Sequence, residues 1–367
     1  MSKLDDDAFT RVRIILMHGL GQGLNRFLHM AARFNGDIRE PLARVRRSSH
    51  HMQTMTNWLL PPDDSPIETT IGYEQVAIEV TASVAQHEPD DYLAQNYRFG
   101  LLEDFDHLYR YSALLDRLEG KDPNDILQSY TDIAPGRPTW FEHRDPADDL
   151  RTPYDRNTAH PLSKLHALTI YTAEYQTRDF YMTVGPMYTD PVARAMYAEI
   201  ASMEEQHVTQ YESMVDPNET WLEKWLLHHG MMVYNYYSCM QYEENPRIKA
   251  IWERCLDYQL GQLQVAMKHF KDIERRDPEE ILPKDIPEPI NFTAHRDFIR
   301  KVLEEEVELT AYGHEFMHKD KAPPNNRSDQ YRDYMNKDGS PTEIMAEGYQ
   351  WRPGTEVTAE QPLRKAL

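Results

Sequence analysis

Six acid and imidazole side chains recur in this chain at one fixed offset, and that recurrence limits what the chain can fold into more than any other feature. Glu74 is followed 30 residues later by Asp104 and then by His107; Glu174 is followed 30 residues later by Glu204 and then by His207. The two sets stand 100 residues apart throughout, and the same offset pairs Thr69 with Thr169, Val84 with Val184, Tyr97 with Tyr197 and Tyr111 with Tyr211. A fixed period of this kind points to a duplicated unit. Residues three apart on a helix share a face, so Asp104 with His107, and Glu204 with His207, each offer an oxygen and a nitrogen to one point. With a lone Glu from the preceding helix of each unit, the set becomes four carboxylates and two imidazoles. Such a set suits two first-row metal ions about 3.5–4 Å apart. Buried without partners, each carboxylate would carry a desolvation cost that divalent cations naturally offset.

The surrounding pattern is helical. Apolar residues mixed with acids over 67–86, closed by Pro89, and the three-and-four spacing of Phe99, Leu102, Phe105, Leu108, Leu114 and Leu115 within 92–118, ended by Gly120, predict a first hairpin. Prolines at 135, 138, 146, 153 and 161 forbid continuous helix over 121–161, which reads as a crossover or linker. Helices over 162–184 and 192–214 make the second hairpin, and a further pair over 219–273 splits at Asn245-Pro246. The stretch 221–242 is apolar or aromatic on most sides and must be buried, against the bundle or against a second subunit, which points to a homodimer. A last helix is expected over 295–318, with a polar, turn-rich tail beyond Lys321 that reads as extended or partner-wrapping.

At the repeated donors the chain resembles the ferritin-like di-iron/di-manganese carboxylate superfamily, the rubrerythrin- and ferritin-like four-helix bundles. Their pattern is Glu, then Glu-x-x-His, repeated after a crossover. The resemblance covers roughly 67–214. It implies an all-α fold, a four-helix bundle with a long crossover and extra N- and C-terminal helices. The corresponding divisions are a helical extension at 1–62, the bundle at 63–216, added helices at 217–320 and an extended polar tail at 321–367. It implies metal ligation by Glu74, Asp104, His107, Glu174, Glu204 and His207. One departure is Asp104, a methylene shorter than the family's Glu; Glu103, on nearly the same face, is the alternative ligand. The resemblance further implies two iron ions, with manganese as second choice, and an oxidoreductase acting on oxygen, peroxide or a small-molecule substrate. Two distant cysteines cannot build the thiolate iron centre that rubrerythrins usually add.

Two rival motifs compete. His314-Glu315-Phe316-Met317-His318 has the spacing of a zinc hydrolase helix, with Glu315 as general base and Glu343 or Glu347 as third ligand. The run from Arg13 to Gly23 imitates the oxyanion loop of an α/β-hydrolase, but no GxSxG follows, so it reads as a glycine-bearing helix or turn packed on the bundle. His228, His229 and His269 read as core or surface histidines, and His50 and His51 with Arg44, Arg46 and Arg47 as a solvated basic face. Tyr97, Tyr111, Tyr197 and Tyr211 fit either hydrogen bonds to the carboxylates or simple packing. A third reading is a non-catalytic helical binding or scaffold protein.

Composition narrows the field. In 367 residues, 61 Asp and Glu against 40 Lys and Arg give a net charge of -21, which argues against a nucleic-acid partner. The acidic start at Asp5, Asp6 and Asp7 is the reverse of a signal peptide, and the early apolar run 14–17 is too short to span a bilayer, so no membrane is expected. Cys239 and Cys255 make no disulfide framework, which favours the cytoplasm.

Overall fold

The computed structural model describes residues 7–350. It is predominantly helical: thirteen α-helices and one two-stranded sheet among the described residues. An N-terminal hairpin, α1 (Ala8–Phe34) and α2 (Arg39–Asn57), precedes α3 (Pro66–His87) and α4 (Asp91–Glu119). The connection that follows carries two single-turn helices, α5 (Asn124–Leu127) and α6 (Thr139–Glu142). Then come α7 (Pro161–Val184), α8 (Pro191–Ser213), α9 (Trp221–Tyr242), α10 (Pro246–Glu274) and α11 (Arg296–Glu306). Strands β1 (Leu309–Tyr312) and β2 (Glu315–His318) lead to α12 (Arg327–Met335) and α13 (Pro341–Ala346). No helix among the described residues is long and apolar enough to cross a membrane.

Helix starts follow local chemistry. Pro66, Pro161, Pro191 and Pro246 each occupy the first helical position, where the missing N–H is one the helix would leave unpaired anyway. Ser65 and Glu68 close a reciprocal capping box on α3, and Asp90 and Asp190 cap α4 and α8. Gly120, at φ 62°, ends α4 in the left-handed region that glycine tolerates.

Helices α3, α4, α7 and α8 pack on one another, α3 against α4 and α7, and α8 against α7 and α4. Helix α1, which contains the 13–23 run, lies along α7, α3 and α9. Its approach to α7 requires glycine: a Cβ on Gly19 would sit 1.7 Å from Gln176 Oε1, and one on Gly23 2.2 Å from Thr172 Cγ2. The aromatic helix α9 is buried within this chain, against α10, α7 and α1. Two apolar clusters form the core. On α7, Ala173 belongs to one and Tyr181 to the other; on α8, Tyr211 and Ala201 divide the same way. The polar residues Glu174, Glu204 and His207 fall at the changeover.

The structure corrects two expectations. The helix expected over 295–318 ends at Glu306, and 309–318 is a β-hairpin in which Tyr312 pairs with Glu315 across a turn where Gly313 adopts φ 58°. The reason is local: Thr310 and Tyr312 favour a strand, and Gly313 favours a turn. The tail is not extended as far as it is described: α12 and α13 fold back, with α13 packed on α4, α8 and α6, and residues 351–367 lie outside the described residues. The connection over 120–160, expected as a crossover or linker, packs through its short helices on α3, α4 and α8. Arg137, Arg144 and Arg151 within it are almost fully buried.

Candidate metal centre

Glu74 comes from α3, Asp104 and His107 from α4, Glu174 from α7, and Glu204 and His207 from α8; none is more than 2% exposed. They form two overlapping groups, Glu74, Asp104, His107 and Glu204, and Asp104, Glu174, Glu204 and His207, in each of which one donor atom per residue lies within 4.8 Å of the others. Asp104 and Glu204 belong to both.

The geometry obeys the sequence repeat. His107 Nδ1 lies 3.1 Å from Glu204 Oε1, and its counterpart His207 Nδ1 lies 3.1 Å from Asp104 Oδ1, the repeat partner of Glu204. The tyrosines exchange in the same way: Tyr97 packs on Tyr211 at 6.0 Å and Tyr111 on Tyr197 at 4.9 Å. Each half of the repeat therefore completes the other.

Few donors serve the four carboxylates. Tyr181 donates to Glu74 Oε1 at 2.5 Å and His107 reaches Glu204, but Glu74 Oε2, both Asp104 oxygens, Glu174 Oε2, Glu204 Oε2 and His207 Nδ1 are buried without a hydrogen-bond partner. Buried polar atoms are nearly always satisfied, and this concentration of unsatisfied oxygens and one nitrogen around a single volume could hold a metal ion. The electrostatics agree. Burial, with the charges of Glu204 and Asp104, pushes Glu74 well above the usual carboxylate range. Burial and Asp104 do the same to Glu174, and burial raises Asp104. Glu204 is the exception: burial would raise it, but the hydrogen bond with His107 and the nearby His207 imidazole hold it at about 2. His207 is shifted far upward, because the neighbouring Asp104 carboxylate outweighs the effect of burial. Oxygen and imidazole donors without thiolate suit iron or manganese, and the six residues fit a two-ion site.

Glu103 does not face this volume. Its Oε2 accepts from His207 Nε2 at 2.5 Å, while Oε1 accepts from Arg144 Nη1 at 2.8 Å and Arg137 Nη1 at 3.3 Å. Burial alone would raise the Glu103 carboxyl, but Arg144 holds it well below its usual range. An ionised carboxylate only accepts, so the Nε2–H of His207 is fixed and Nδ1 is the atom aimed at the donor cluster. Around Glu103 lies a buried ionic network. Arg144 also bonds Glu142 at 3.0 Å and Asp149 at 2.6 Å, and the Arg137 guanidinium sits 3.9 Å from the Phe99 ring centroid.

Sequence reasoning missed Arg137, Arg144 and Tyr181. The two arginines sit in a proline-broken stretch with no periodicity to flag them. Tyr181 stands seven residues after Glu174, two turns along the same helical face, but its repeat counterpart is Thr81, so the duplication did not mark it. None of the tyrosines that the repeat does mark hydrogen-bonds to the four carboxylates. The hydroxyls of Tyr97, Tyr111 and Tyr211 have no hydrogen-bond partner, and that of Tyr197 meets Thr70 Oγ1 at 2.7 Å. Gly100 admits Tyr211, whose hydroxyl oxygen lies 2.0 Å from where a Cβ at Gly100 would stand.

The zinc-like string has no matching geometry. His314 sits at the exposed hairpin turn, where its carbonyl accepts from Tyr92 at 2.5 Å, and His318 lies on β2 beside Asp320. Four residues of extended chain span about 13 Å, too far for both imidazoles to share one ion. Glu343, offered as third ligand, pairs with Arg110 at 2.9 Å. A separate, largely apolar cavity of about 1030 Å³ lies between α1, α7 and the start of α9, lined by Phe27, Tyr171, Tyr175 and Trp221 among others; none of the six donors lines it.

Comparison with protein-family models, with curated proteins and with solved structures returned no match to this chain.

Proposed function

We propose that this protein is a ferritin-like di-metal carboxylate protein, an oxidoreductase that reduces oxygen or peroxide with two iron ions, manganese being the second choice. The observation that carries the reading is the convergence of unsatisfied buried donor atoms from Glu74, Asp104, Glu174, Glu204 and His207 on one volume. Glu74 and His107 would serve one ion, Glu174 and His207 the other, and Asp104 and Glu204, common to both groups, would bridge. When bound, such a pair would supply electrons to oxygen or peroxide, and a reducing substrate or a second peroxide would return the metals to their reduced state.

The chain's own residues set the conditions for that chemistry. Burial of all six donors excludes bulk water and favours oxygen or hydrogen peroxide over a bulky substrate. Tyr181 holds one oxygen of Glu74 through its hydroxyl, leaving the other to face the cluster. Glu103 orients His207, and Arg137 and Arg144 hold Glu103 in turn. Elemental analysis of protein purified without a metal-binding tag is the direct test. The expected result is about two iron or manganese ions per chain, lost when Glu204 and His207 are both changed to Ala. A metal content that survives this double change would refute the reading.

A further inference from the structure

The repeat that relates the two halves is broken at one position beside the candidate centre. Glu103, whose carboxylate holds His207 Nε2, has Met203 as its counterpart 100 residues on. Met203 is fully buried and carries no oxygen acceptor. Correspondingly, His107 Nε2 is buried with no hydrogen-bond partner. The two imidazoles are thus alike in what Nδ1 faces and unlike in what stands behind the ring.

From this asymmetry, and resting on the di-metal reading, we infer that the two metal positions are unequal and that the position of Glu174 and His207 is the high-affinity one. To give the Nδ1 lone pair to a cation, a neutral imidazole must keep its proton on Nε2. In His207 that N–H already points at an ionised carboxylate, which fixes tautomer and ring orientation and makes the ring a stronger base. In His107 the Nε2–H that ligation through Nδ1 requires would meet no acceptor. A buried N–H without an acceptor is penalised. Partners behind a metal-bound imidazole typically alter metal affinity 10–100-fold, and that is the expected difference between the positions. Glu103 is a positioning residue: it acts on the ion only through His207, anchored by Arg137 and Arg144 from the crossover. The shared bridges, Asp104 and Glu204, contribute to both positions and do not distinguish them.

Calorimetric titration with Mn(II) in the absence of oxygen, on full-length single-position variants, tests the inference without reference to catalysis. Glu74→Ala leaves the position of His207, and Glu174→Ala leaves that of His107. The ion held by Glu74→Ala is expected to bind about 10–100-fold more tightly than that held by Glu174→Ala. In the Glu74→Ala background, Glu103→Gln keeps an acceptor but removes its charge, and weakens binding; in the Glu174→Ala background, Met203→Glu supplies the missing acceptor and strengthens it. Equal affinities in the two single variants, or the reverse order, overturn the inference while leaving a two-ion centre intact. Wild-type protein that takes up no Mn(II) or Fe(II) overturns the di-metal reading and the inference with it. Because the comparison of Glu74→Ala with Glu174→Ala needs neither second substitution, it decides the matter even if Glu103→Gln folds poorly.

Discussion

Arg144→Met is expected to be among the most damaging single substitutions outside the six donors, and the reason can be worked from its contacts. The guanidinium is 3% exposed and bonds Glu103 at 2.8 Å, Glu142 at 3.0 Å and Asp149 at 2.6 Å. Arg137 also reaches Glu103, but nothing replaces Arg144 at Asp149 and Glu142 with comparable geometry. Removing one partner of a buried ionic cluster typically costs about 3–5 kcal/mol, because the remaining charges stay buried without compensation. That is about two to nearly four orders of magnitude in the folding equilibrium, at 1.4 kcal/mol per factor of ten. The loss should also depend on pH. Burial raises Asp149 from 3.8 to about 6 even with Arg144 beside it. Because the folded value lies above the unfolded one, ionised Asp149 opposes folding above pH 6, and that opposition fades as pH falls through about 6 toward 4. Without Arg144 the folded value rises further and relief begins at higher pH, so the variant's deficit should shrink between pH 8 and pH 5. Urea unfolding at equilibrium, followed by circular dichroism across that range, measures both effects. A deficit under about 1 kcal/mol, or one constant with pH, would show that the network is too well solvated for this reasoning.

Two further outcomes rest on single contacts. Tyr181→Phe deprives the buried Glu74 carboxylate of its only hydroxyl donor and should destabilise metal-free protein by about 1–3 kcal/mol in the same unfolding experiment; an unchanged midpoint would mean that the hydrogen bond contributes nothing. Glu79, on α3, is raised by burial to about 7 although Thr131 and the His295 N–H donate to it. Its ionised form therefore opposes folding above pH 7, and stability should rise as pH falls through 7 toward 4.5. Glu79→Gln should flatten that part of the profile, and a profile of unchanged slope would assign the dependence elsewhere.

How much of this was legible in the sequence depended on periodicity. Helices α3, α4 and α7 to α10 could be read because apolar residues recur every three or four positions and proline or glycine marks their ends. The residues that converge at the centre could be read because the duplication repeats their spacing. What could not be read lacks a period. Arg137 and Arg144 act through a connection whose conformation depends on the helices it crosses. The identity of the residue turned toward the cluster, Asp104 rather than Glu103, was decided by the cations that the same connection brings to Glu103. The β-hairpin after α11 was hidden because Val302, Glu306 and Leu309 continue a helical spacing for one turn, and only Gly313 signals the reversal.

The cross-pairing of the two halves also sets an order on assembly. His107 faces an acid 97 positions later in the chain, and His207 faces one on the earlier hairpin, so a hairpin alone gathers only three of the six donors. The cage closes only after the intervening segment has been laid across α4 and α8, a long-range closure that local helix formation must precede. Ion capture at this place would thus report a finished topology, and chain released or cut before that point would have nothing to capture with.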